Sequence, residues 1–456
     1  MDIRPLVEKI FQKGKAAGLG DMEVYYSAGS SLSLKVFQKE LDGYSLSESE
    51  GLSLRGVYKG KMGYSYTEKV DESSIDLLVK NVLENAMVID SDDEEFIYEG
   101  SKEYKKIDTF NPALDKVSEI EKINFVKQLE EEASKLDKRI SQVETCVYGD
   151  GYGEIVMSNT KGLYLHDKSN IAYTYVVVVA KDGNDIKTGM AYRTGNDFSK
   201  FNAKEIAEEA VNEALSLLGA KSVKSGDYPI VIRNNAAADL LEAFSGIFSA
   251  ESVQKDLSLL KGKLNEQVAS EKFTLVDDPF MEDGLASKSF DGEGVACMYK
   301  KVIDKGVLKT YFHNLKTAKK DGIETTGNAS KGSYKASIGL SPSNFYVEKG
   351  EKSLDEIIAG MDRGIMITEL QGLHSGLNSI SGDFSLAALG YEIKDGKISG
   401  PVEQITVAGN YFDMLKNIEE VGSDLKFGLP GEAYIGSPSL KVKKLAIAGE
   451  WSNSEL

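Results

Sequence analysis

Alternation of apolar and polar residues is the feature that most constrains how this chain can fold. It runs through residues 22–67, with Leu32–Val36 as a clear example, and is interrupted by Gly-containing turns at residues 42–43 and 59–60. Because successive side chains of a strand point to opposite faces, this pattern predicts antiparallel strands that are joined by hairpins and bury one face. Strand-like segments return over residues 142–192.

Segments with helical periodicity lie on either side of each strand-rich stretch. Ser47–Leu54 and Ser158–Leu165 also share one Ser, one Gly and two Leu at a constant offset of 111 residues. We interpret this match, together with the shared order of elements, as an internal duplication that produces two related α/β units. The segments with apolar residues at helical spacing are residues 2–18, 75–86, 117–136 and 203–218.

A third region begins with the strand-like segment Tyr228–Ile232, a helix follows near residues 237–248, and strands and Gly-rich loops then dominate. The sequence therefore predicts an α+β fold, in which two related N-terminal α/β units with antiparallel sheets precede a β-rich α+β C-terminal domain. The charge run Asp90–Glu95 is interpreted as a solvated loop within a linker. The predicted domains are residues 1–89, an acidic linker at 90–116, residues 117–223 and residues 224–456.

The charge balance and the hydropathy narrow the possible partners. Lys and Arg number 54 against 72 Asp and Glu, which gives a formal net charge of -18. Such a surface opposes direct contact with nucleic acid, whose binding depends on Lys and Arg. No apolar run approaches the roughly 20 residues that span a bilayer, and the N-terminus lacks a secretory signal. We therefore expect a cytoplasmic protein that binds neither nucleic acid directly nor membranes.

Residues that usually bind metals are scarce. The two cysteines, Cys146 and Cys297, stand far apart, and the three histidines are never within five residues of one another. No sequence-local His pair for zinc therefore exists. His374 lies in a Gly-rich loop, where binding groups tend to concentrate.

Acidic or polar residues recur beside Gly or Pro in the C-terminal half. Paired carboxylates in such clusters could serve acid–base chemistry or bind a hard cation. Asp and Gly are equally the usual residues of turns and hairpins. The clusters are Asp277-Asp278-Pro279, Asp291-Gly292-Glu293, Thr326-Gly327-Asn328 and Ser381-Gly382-Asp383.

In their order and spacing, these clusters and several further motifs resemble the TldD/PmbA family over essentially the whole chain. This resemblance implies a peptidase-like protein of a family that was also labelled a modulator of DNA gyrase. In that family, TldD-type chains carry a His-Glu-x-x-x-His zinc motif and a further Cys ligand, whereas PmbA/TldE-type chains lack these ligands and pair with a TldD-type chain. The motifs that carry the resemblance are Gly51–Gly56, Gly63–Thr67, Phe290–Gly294, Thr325–Ala329, Thr368–Leu370, Ser379–Ser385 and Pro401–Asn410.

The positions that align with the zinc motif identify the type of subunit that the resemblance implies. They hold Leu241, Glu242 and Gly246, and the segment Phe427–Ala433 contains no Cys. The resemblance thus implies a non-catalytic PmbA/TldE-type subunit without a cofactor, with zinc only in a TldD-type partner. We expect a heterodimer with that partner, or a homodimer when the partner is absent. The expected substrates are unfolded peptides. The expected substrate-cleft residues are Asp291, Glu293, Thr326, Asn328, His374, Ser381 and Asp383.

Two alternatives remain open at the level of sequence. The chain could be an autonomous metallopeptidase whose non-standard site uses Asp277, Asp278, Asp291, Glu293 and His374. It could also be a non-enzymatic regulator that binds gyrase or another protein. Bound metal in the isolated chain would distinguish the first alternative, and a stable complex formed without a TldD-type chain would distinguish the second.

Overall fold

The computed structural model describes residues 2–90, 95–431 and 433–450. Within these ranges, no helix is long and apolar enough to cross a bilayer. The helices are α1 Arg4–Ala16, α2 Ile75–Val88, α3 Glu119–Lys135, α4 Ala203–Ser216, α5 Asn234–Phe244, α6 Ala250–Gln254, α7 Leu315–Asp321, α8 Leu354–Ala359 and α9 Tyr411–Lys416.

The strands follow the predicted alternation in the N-terminal half and are shorter in much of the C-terminal half. They are β1 Met22–Phe37, β2 Glu40–Tyr58, β3 Lys61–Thr67, β4 Ile140–Asn159, β5 Tyr164–Asp182, β6 Asp185–Gly195, β7 Gly226–Ile232, β8 Leu275–Asp277, β9 Lys300–Asp304, β10 Val307–Leu308, β11 Ala329–Ser330, β12 Gly339–Leu340, β13 Asn344–Val347, β14 Arg363–Gln371, β15 Asp383–Lys394, β16 Lys397–Asn410, β17 Ile418–Val421, β18 Lys426–Phe427, β19 Tyr434–Ser437 and β20 Leu440–Ala448.

The N-terminal strands form one antiparallel sheet in the order β3-β2-β1-β4-β5-β6. The order helix, strand, strand, strand, helix occurs twice, as α1–β1–β2–β3–α2 and as α3–β4–β5–β6–α4. The two halves meet where β1 pairs with β4, from Glu23↔Asn159 to Val36↔Cys146. The predicted antiparallel α/β units are therefore present, and they share a sheet.

The sequence match at an offset of 111 residues does not relate equivalent positions. Residues 47–54 lie inside β2, whereas residues 158–165 span the turn between β4 and β5. The corresponding strands β2 and β5 begin at Glu40 and Tyr164, which is an offset of 124. Ser, Gly and Leu recur in alternating strands, so a short match of this kind can arise out of register.

All of the N-terminal helices cover the same face of this sheet. Alternate residues of β1 are buried in it, with Val24 packed beside α1 and α2 and Leu34 packed beside α3 and α4. Ser118 and Glu121 form a capping box that starts α3. Burial of each large apolar side chain contributes about 1.5–3 kcal/mol, so the helices hold the sheet firmly from this side. The other face of the sheet is left for the C-terminal domain.

The segment that was predicted to be an acidic linker, residues 90–116, is partly buried between other elements. Residues 91–94 of the acidic run lie outside the described residues. Beyond them, Ile97 is fully buried, and the Tyr104 hydroxyl donates a 2.7 Å hydrogen bond to the carbonyl of Gly294. The described residues of the charge run, Asp90 and Glu95, are exposed, whereas the apolar and aromatic residues that follow them find partners on the C-terminal domain.

The C-terminal domain contains two larger sheets, ordered β10-β9-β8-β13-β19-β18 and β16-β15-β14-β7-β20-β17. A further pairing of β16 with β20 closes the second of these into a barrel. The largest apolar core joins both sheets and α5, with Phe244 and Phe345 fully buried inside it. The α+β prediction with a β-rich C-terminal domain is confirmed.

Candidate functional site

The family resemblance aligns residues 241–246, at the end of α5 and in the turn after it, with the zinc motif, and these residues do not suit a zinc ion. Leu241 is only 2% exposed and belongs to the C-terminal apolar core. Gly246 has no side chain, and Glu242 lies on the exposed side of the helix. A catalytic zinc needs three protein ligands of the His, Cys or carboxylate type. Glu242 alone cannot supply that set.

Asp277 is buried at the end of β8 and is fully engaged. It accepts hydrogen bonds from Lys300 Nζ at 2.9 Å, Asn328 Nδ2 at 2.8 Å and the Ser343 amide at 2.7 Å. Burial tends to raise the pKa of Asp277, but Lys300 and the hydroxyl and amide donors outweigh it and hold that pKa below its usual value. Thr326 joins the same network by donating to Asn328 Oδ1 at 2.7 Å. The network ties the predicted Thr-Gly-Asn cluster to β8.

Asp291 organises the loop that carries Glu293. Its Oδ1 accepts from the amides of Glu293 and Val295, and its Oδ2 accepts from the amide of Ala329, at 2.9 to 3.0 Å. Burial raises the pKa of Asp291 to about 6, against the opposing effect of these donors. The turn interpretation therefore describes what Asp291 does, and Glu293 is the residue that it positions.

The other predicted cleft residues belong to the loops at the end of the barrel. Ser381 Oγ donates to Asp383 at 2.8 Å, and Asn410 Nδ2 donates to Asp383 Oδ1 at 2.9 Å. Gly382 between them has φ +84, which favours glycine. His374 is exposed on a separate turn and has no hydrogen bond within the part of the chain that is described. No hydrogen bond of these residues reaches Asp291 or Asn328 in that part.

The carboxylates and histidine of the autonomous-metallopeptidase alternative do not converge. Asp277 is held by Lys300, and Asp278 Oδ1 accepts from the amide of Phe280 at 2.9 Å. Over residues 2–90, 95–431 and 433–450, no three His, Cys, Asp or Glu side chains come together in a way that could hold a metal ion. The residues that were named for that alternative therefore form no donor set in the described structure.

A cluster of buried charged side chains lies where the N-terminal sheet meets the C-terminal domain. Glu23, Arg55 and Tyr64 are direct neighbours on β1, β2 and β3. Arg55, 6% exposed, donates through Nε and Nη2 to Glu23 Oε1 at 3.0 and 2.8 Å. Its remaining nitrogen, Nη1, lies 3.9 Å from Glu293 Oε1 of the C-terminal domain. The predicted residue Glu293 thus faces an arginine from a different part of the chain.

In the part of the chain that the structure describes, only one of the two carboxylate oxygens of Glu293 accepts a hydrogen bond. Its Oε2 accepts from the amide of Leu315, the first residue of α7, at 2.8 Å. Burial raises the pKa of Glu293 to about 7, although Arg55 opposes the rise. A carboxyl group with such a pKa exchanges its proton near neutrality, which is a common property of functional sites.

The loop between β11 and β12, residues 331–338, packs against the same group. Lys331 Nζ lies 5.1 Å from the ring centre of Tyr25 and 4.7 Å from that of Tyr64. It donates a 3.0 Å hydrogen bond to the carbonyl of Ala336. Burial, followed by the charge of Arg55, lowers the pKa of Lys331 to about 8. Tyr334 of the loop fits over Gly51, where an added Cβ would lie 2.4 Å from its ring.

Cavities open on both sides of Lys331. One of about 490 Å³ lies beside Arg55, Tyr64 and Glu293, and its remaining wall includes Met62 and Ile338. Another of about 450 Å³ runs along the Gly- and Ser-rich centre of the N-terminal sheet. The candidate site is therefore the contact region between the sheet and the C-terminal domain.

Sequence reasoning found Glu293 but missed Glu23, Arg55 and Lys331 as site residues. Arg55 lies in a stretch of Leu, Ser and Gly within a strand, and a charge in such a setting indicates a buried partner. Which partner it meets depends on the second face of the sheet. That face is covered by residues more than 200 positions away, which no local pattern reveals.

Comparison with known proteins shows the family to which this fold belongs. Residues 22–86, 112–218 and 225–449 match, respectively, domain 1, the central domain and the C-terminal domain of the PmbA/TldA metallopeptidases. A Thermotoga maritima structure described as a modulator of a DNA gyrase is 36% identical, with a TM-score of 0.90 over 97% of this chain and 99% of that chain.

Two further proteins carry names from the same family. Metalloprotease PmbA of Escherichia coli O157:H7 is 26% identical over 95% of this chain and 94% of that protein. TldE from Thermococcus kodakarensis has the same fold, with a TM-score of 0.88 at 23% identity over 97% of this chain and 100% of that chain. The chain belongs to the PmbA/TldD metallopeptidase family.

Proposed function

We propose that this chain is the metal-free, PmbA/TldE-type subunit of a protease that acts on unfolded peptides. In this proposal a TldD-type partner supplies the zinc, and the present chain completes the chamber in which the peptide is held. Zinc bound to the partner would polarise the scissile carbonyl and activate water. The present chain would bind and orient the substrate.

The observation that carries the proposal is the nature of α5. In a metallopeptidase family, the aligned zinc-motif positions here hold a core leucine, an exposed glutamate and a glycine. Leu241 packs into the apolar core, so the helix serves a structural purpose. A family member with this helix can contribute to proteolysis through binding.

The contact region between the N-terminal sheet and the C-terminal domain supports a binding role. It contains cavities of about 490 and 450 Å³, which is the size range of ligand pockets. Arg55, Lys331 and Glu293 supply polar groups beside apolar walls. Such a combination suits a peptide, because a peptide offers charged termini and backbone amides to the polar groups and apolar side chains to the apolar walls.

Reconstitution with the zinc-motif homologue from the same organism tests the proposal. We expect each chain alone to leave an unfolded fluorogenic peptide intact and the mixture to cleave it. Chelation of zinc, or a His→Ala change in the partner's motif, should abolish cleavage. Glu242→Ala in the present chain should leave cleavage unchanged, as expected for an exposed residue outside the catalytic machinery. Equal activity of the partner alone would refute the proposal.

The same preparation distinguishes the alternatives. Stoichiometric metal and peptidase activity in the isolated chain would establish an autonomous enzyme. The Thermotoga maritima relative is described as a modulator of a DNA gyrase, so gyrase is the appropriate bait for a regulator. A stable gyrase complex formed without any TldD-type chain would favour that function.

A further inference from the structure

The cavity beside Arg55 and Lys331 has an unusual distribution of charge. Arg55 uses Nε and Nη2 on Glu23, which leaves Nη1 with Glu293 at 3.9 Å, beyond hydrogen-bond distance. Within the described residues, no carboxylate lies within ion-pair distance of Lys331 Nζ, whose contacts are the Ala336 carbonyl and two aromatic rings. Arg55 Nη1 and Lys331 Nζ therefore line the cavity with no described carboxylate at hydrogen-bond distance, although Glu23 pairs with the other side-chain nitrogens of Arg55.

Among the described residues, the other charged groups that line the cavity place no carboxylate at hydrogen-bond distance from Arg55 Nη1 or Lys331 Nζ. Glu251 forms an ion pair with Lys255 at 2.6 Å. Glu95 lines the cavity and its charge helps to raise the pKa of Arg55, but its side chain is exposed, so water partly screens it. Glu293 has a pKa of about 7 and can keep its proton when an anion enters beside it.

Apolar side chains form part of the remaining walls of the cavity, beside the polar residues Asn314 and Ser337. Its volume of about 490 Å³ is much larger than a carboxylate group needs and accommodates an attached side chain. Burial of an apolar side chain there would add to the binding energy at roughly 25 cal/mol per Å² of apolar surface. The apolar wall residues are Met62, Ile89, Phe96, Leu315 and Ile338.

From this arrangement we infer that the cavity is a binding site for a carboxylate that carries an apolar substituent. The carboxylate lies between Arg55 Nη1 and Lys331 Nζ, accepts hydrogen bonds from both, and directs its substituent toward Met62 and Ile338. Arg is well suited to this task because its planar donors match a carboxylate. The chemistry fits the C-terminal residue of a peptide and also a free branched-chain carboxylic acid.

The peptide form of this inference rests on the proposed peptide-processing function. The carboxylate site itself does not, because it is formed by this chain alone. Binding to the isolated chain therefore tests the site, whereas reconstituted cleavage tests the function. Failure of one leaves the other standing.

Calorimetric titration of the full chain with three probes tests the inference. The probes are N-acetyl-glycyl-leucine with a free C-terminus, its C-terminal amide, and 3-methylbutanoate. We expect the free acid of the dipeptide to bind at least tenfold more tightly than the amide. Tight binding of 3-methylbutanoate would identify a free acid as the ligand, and binding of the dipeptide acid alone would identify a peptide terminus.

Variants of the 331–338 loop complete the test. Lys331→Gln should weaken binding of the free acid by at least tenfold, and Lys331→Arg, which keeps the charge, should restore most of it. Lys335→Gln is the matched control, because Lys335 lies on the same loop but pairs with Glu68. Thermal unfolding of each variant verifies folding. Absence of binding by both acids, equal binding of acid and amide, or unchanged binding by Lys331→Gln would overturn the inference.

Discussion

Individual residues at the contact between the N-terminal sheet and the C-terminal domain illustrate how burial changes chemistry. Arg55 and Glu293 come from different domains and share a nearly dry environment. Removal of water penalises charged forms, so the pKa of Glu293 rises and the pKa of Lys331 falls. Both groups respond to pH values near neutrality, where an ordinary Glu or Lys would not.

Glu293→Gln should reduce the pH dependence of stability. The folded protein holds a proton on Glu293 up to pH about 7, whereas the unfolded chain releases it near 4.5. This carboxyl group therefore stabilises the folded state fully below pH 4.5, and that contribution is lost as pH rises through 7. The shift corresponds to about 3 kcal/mol at most. The free energy of unfolding, measured with urea at pH 5 and at pH 8, should differ less between the two pH values for the variant than for the unmodified protein.

The charges next to Glu293 also affect how stability depends on pH. Arg55, Glu23 and Asp291 all act on Glu293, and they remain in the variant. Asp291, with a pKa of about 6, preserves some of the dependence. The exposed substitution Glu282→Gln serves as the control. If the Glu293 variant and the control gave the same difference between pH 5 and pH 8, the assigned burial of Glu293 would be wrong.

Gly51→Ala should weaken attachment of the 331–338 loop. The new Cβ would lie 2.4 Å from the Tyr334 ring, so the ring must move. Overpacking of this kind costs typically 1–3 kcal/mol. Gly400→Ala meets no atom within 4 Å and provides the control. Urea unfolding measures the free energy of unfolding of both variants. In a double-mutant cycle, the destabilisation caused by Gly51→Ala should largely disappear when Tyr334→Ala has already removed the ring. Additive effects in that cycle would contradict the proposed contact.

Among the elements, α5 has a structural function that its packing explains. Its buried side, with Leu241 and Phe244, packs into the largest core of the molecule. Its exposed side carries Glu242. The helix is therefore retained by packing, independently of any metal.

Leu241→Ala should lower the free energy of unfolding by about 2–5 kcal/mol, as expected for a core leucine whose removal leaves a cavity. Glu242→Ala should change it by about 0.5 kcal/mol or less. Urea unfolding of both variants provides the measurement. A tolerated Leu241 change together with a costly Glu242 change would show that the structural interpretation of α5 is incorrect.

At the scale of the whole molecule, the shared N-terminal sheet joins two parts of the chain into one folding unit. β1 is paired on one side with β2 and on the other with β4 over most of its length. The 95–113 segment and the 331–338 loop then connect this sheet to the C-terminal domain. Contacts of such long sequence separation make the parts depend on one another.

A fragment of residues 1–89 should therefore fail to fold by itself. It would expose the edge of β1 that pairs with β4 and would lose part of the apolar core. A fragment of residues 1–223 contains both halves of the sheet and should unfold cooperatively. Thermal melts followed by circular dichroism compare the two. Cooperative melting of the shorter fragment would show that the first unit is independent.

The sequence predicted most of the local structure correctly. Alternation predicted the strands of the N-terminal sheet, and apolar periodicity predicted α1, α2, α3 and α4 to within a few residues. The family resemblance was also confirmed. The domain boundaries, the metal-free state, the partner and the substrate-cleft assignments stay predictions. The match at an offset of 111 failed because eight residues cannot fix the register of long alternating strands.

The amino-acid sequence alone thus specified the strands and helices and carried the family motifs. Local periodicity is sufficient for this, because it decides which side chains share one face of an element. The identity of the candidate site depended on tertiary structure. Glu293 became chemically distinct only when β2 placed Arg55 opposite it and the 331–338 loop brought Lys331 close. Their pKa values depend on desolvation and on charges that are distant in sequence. Only the packing of the sheet against the C-terminal domain creates that environment.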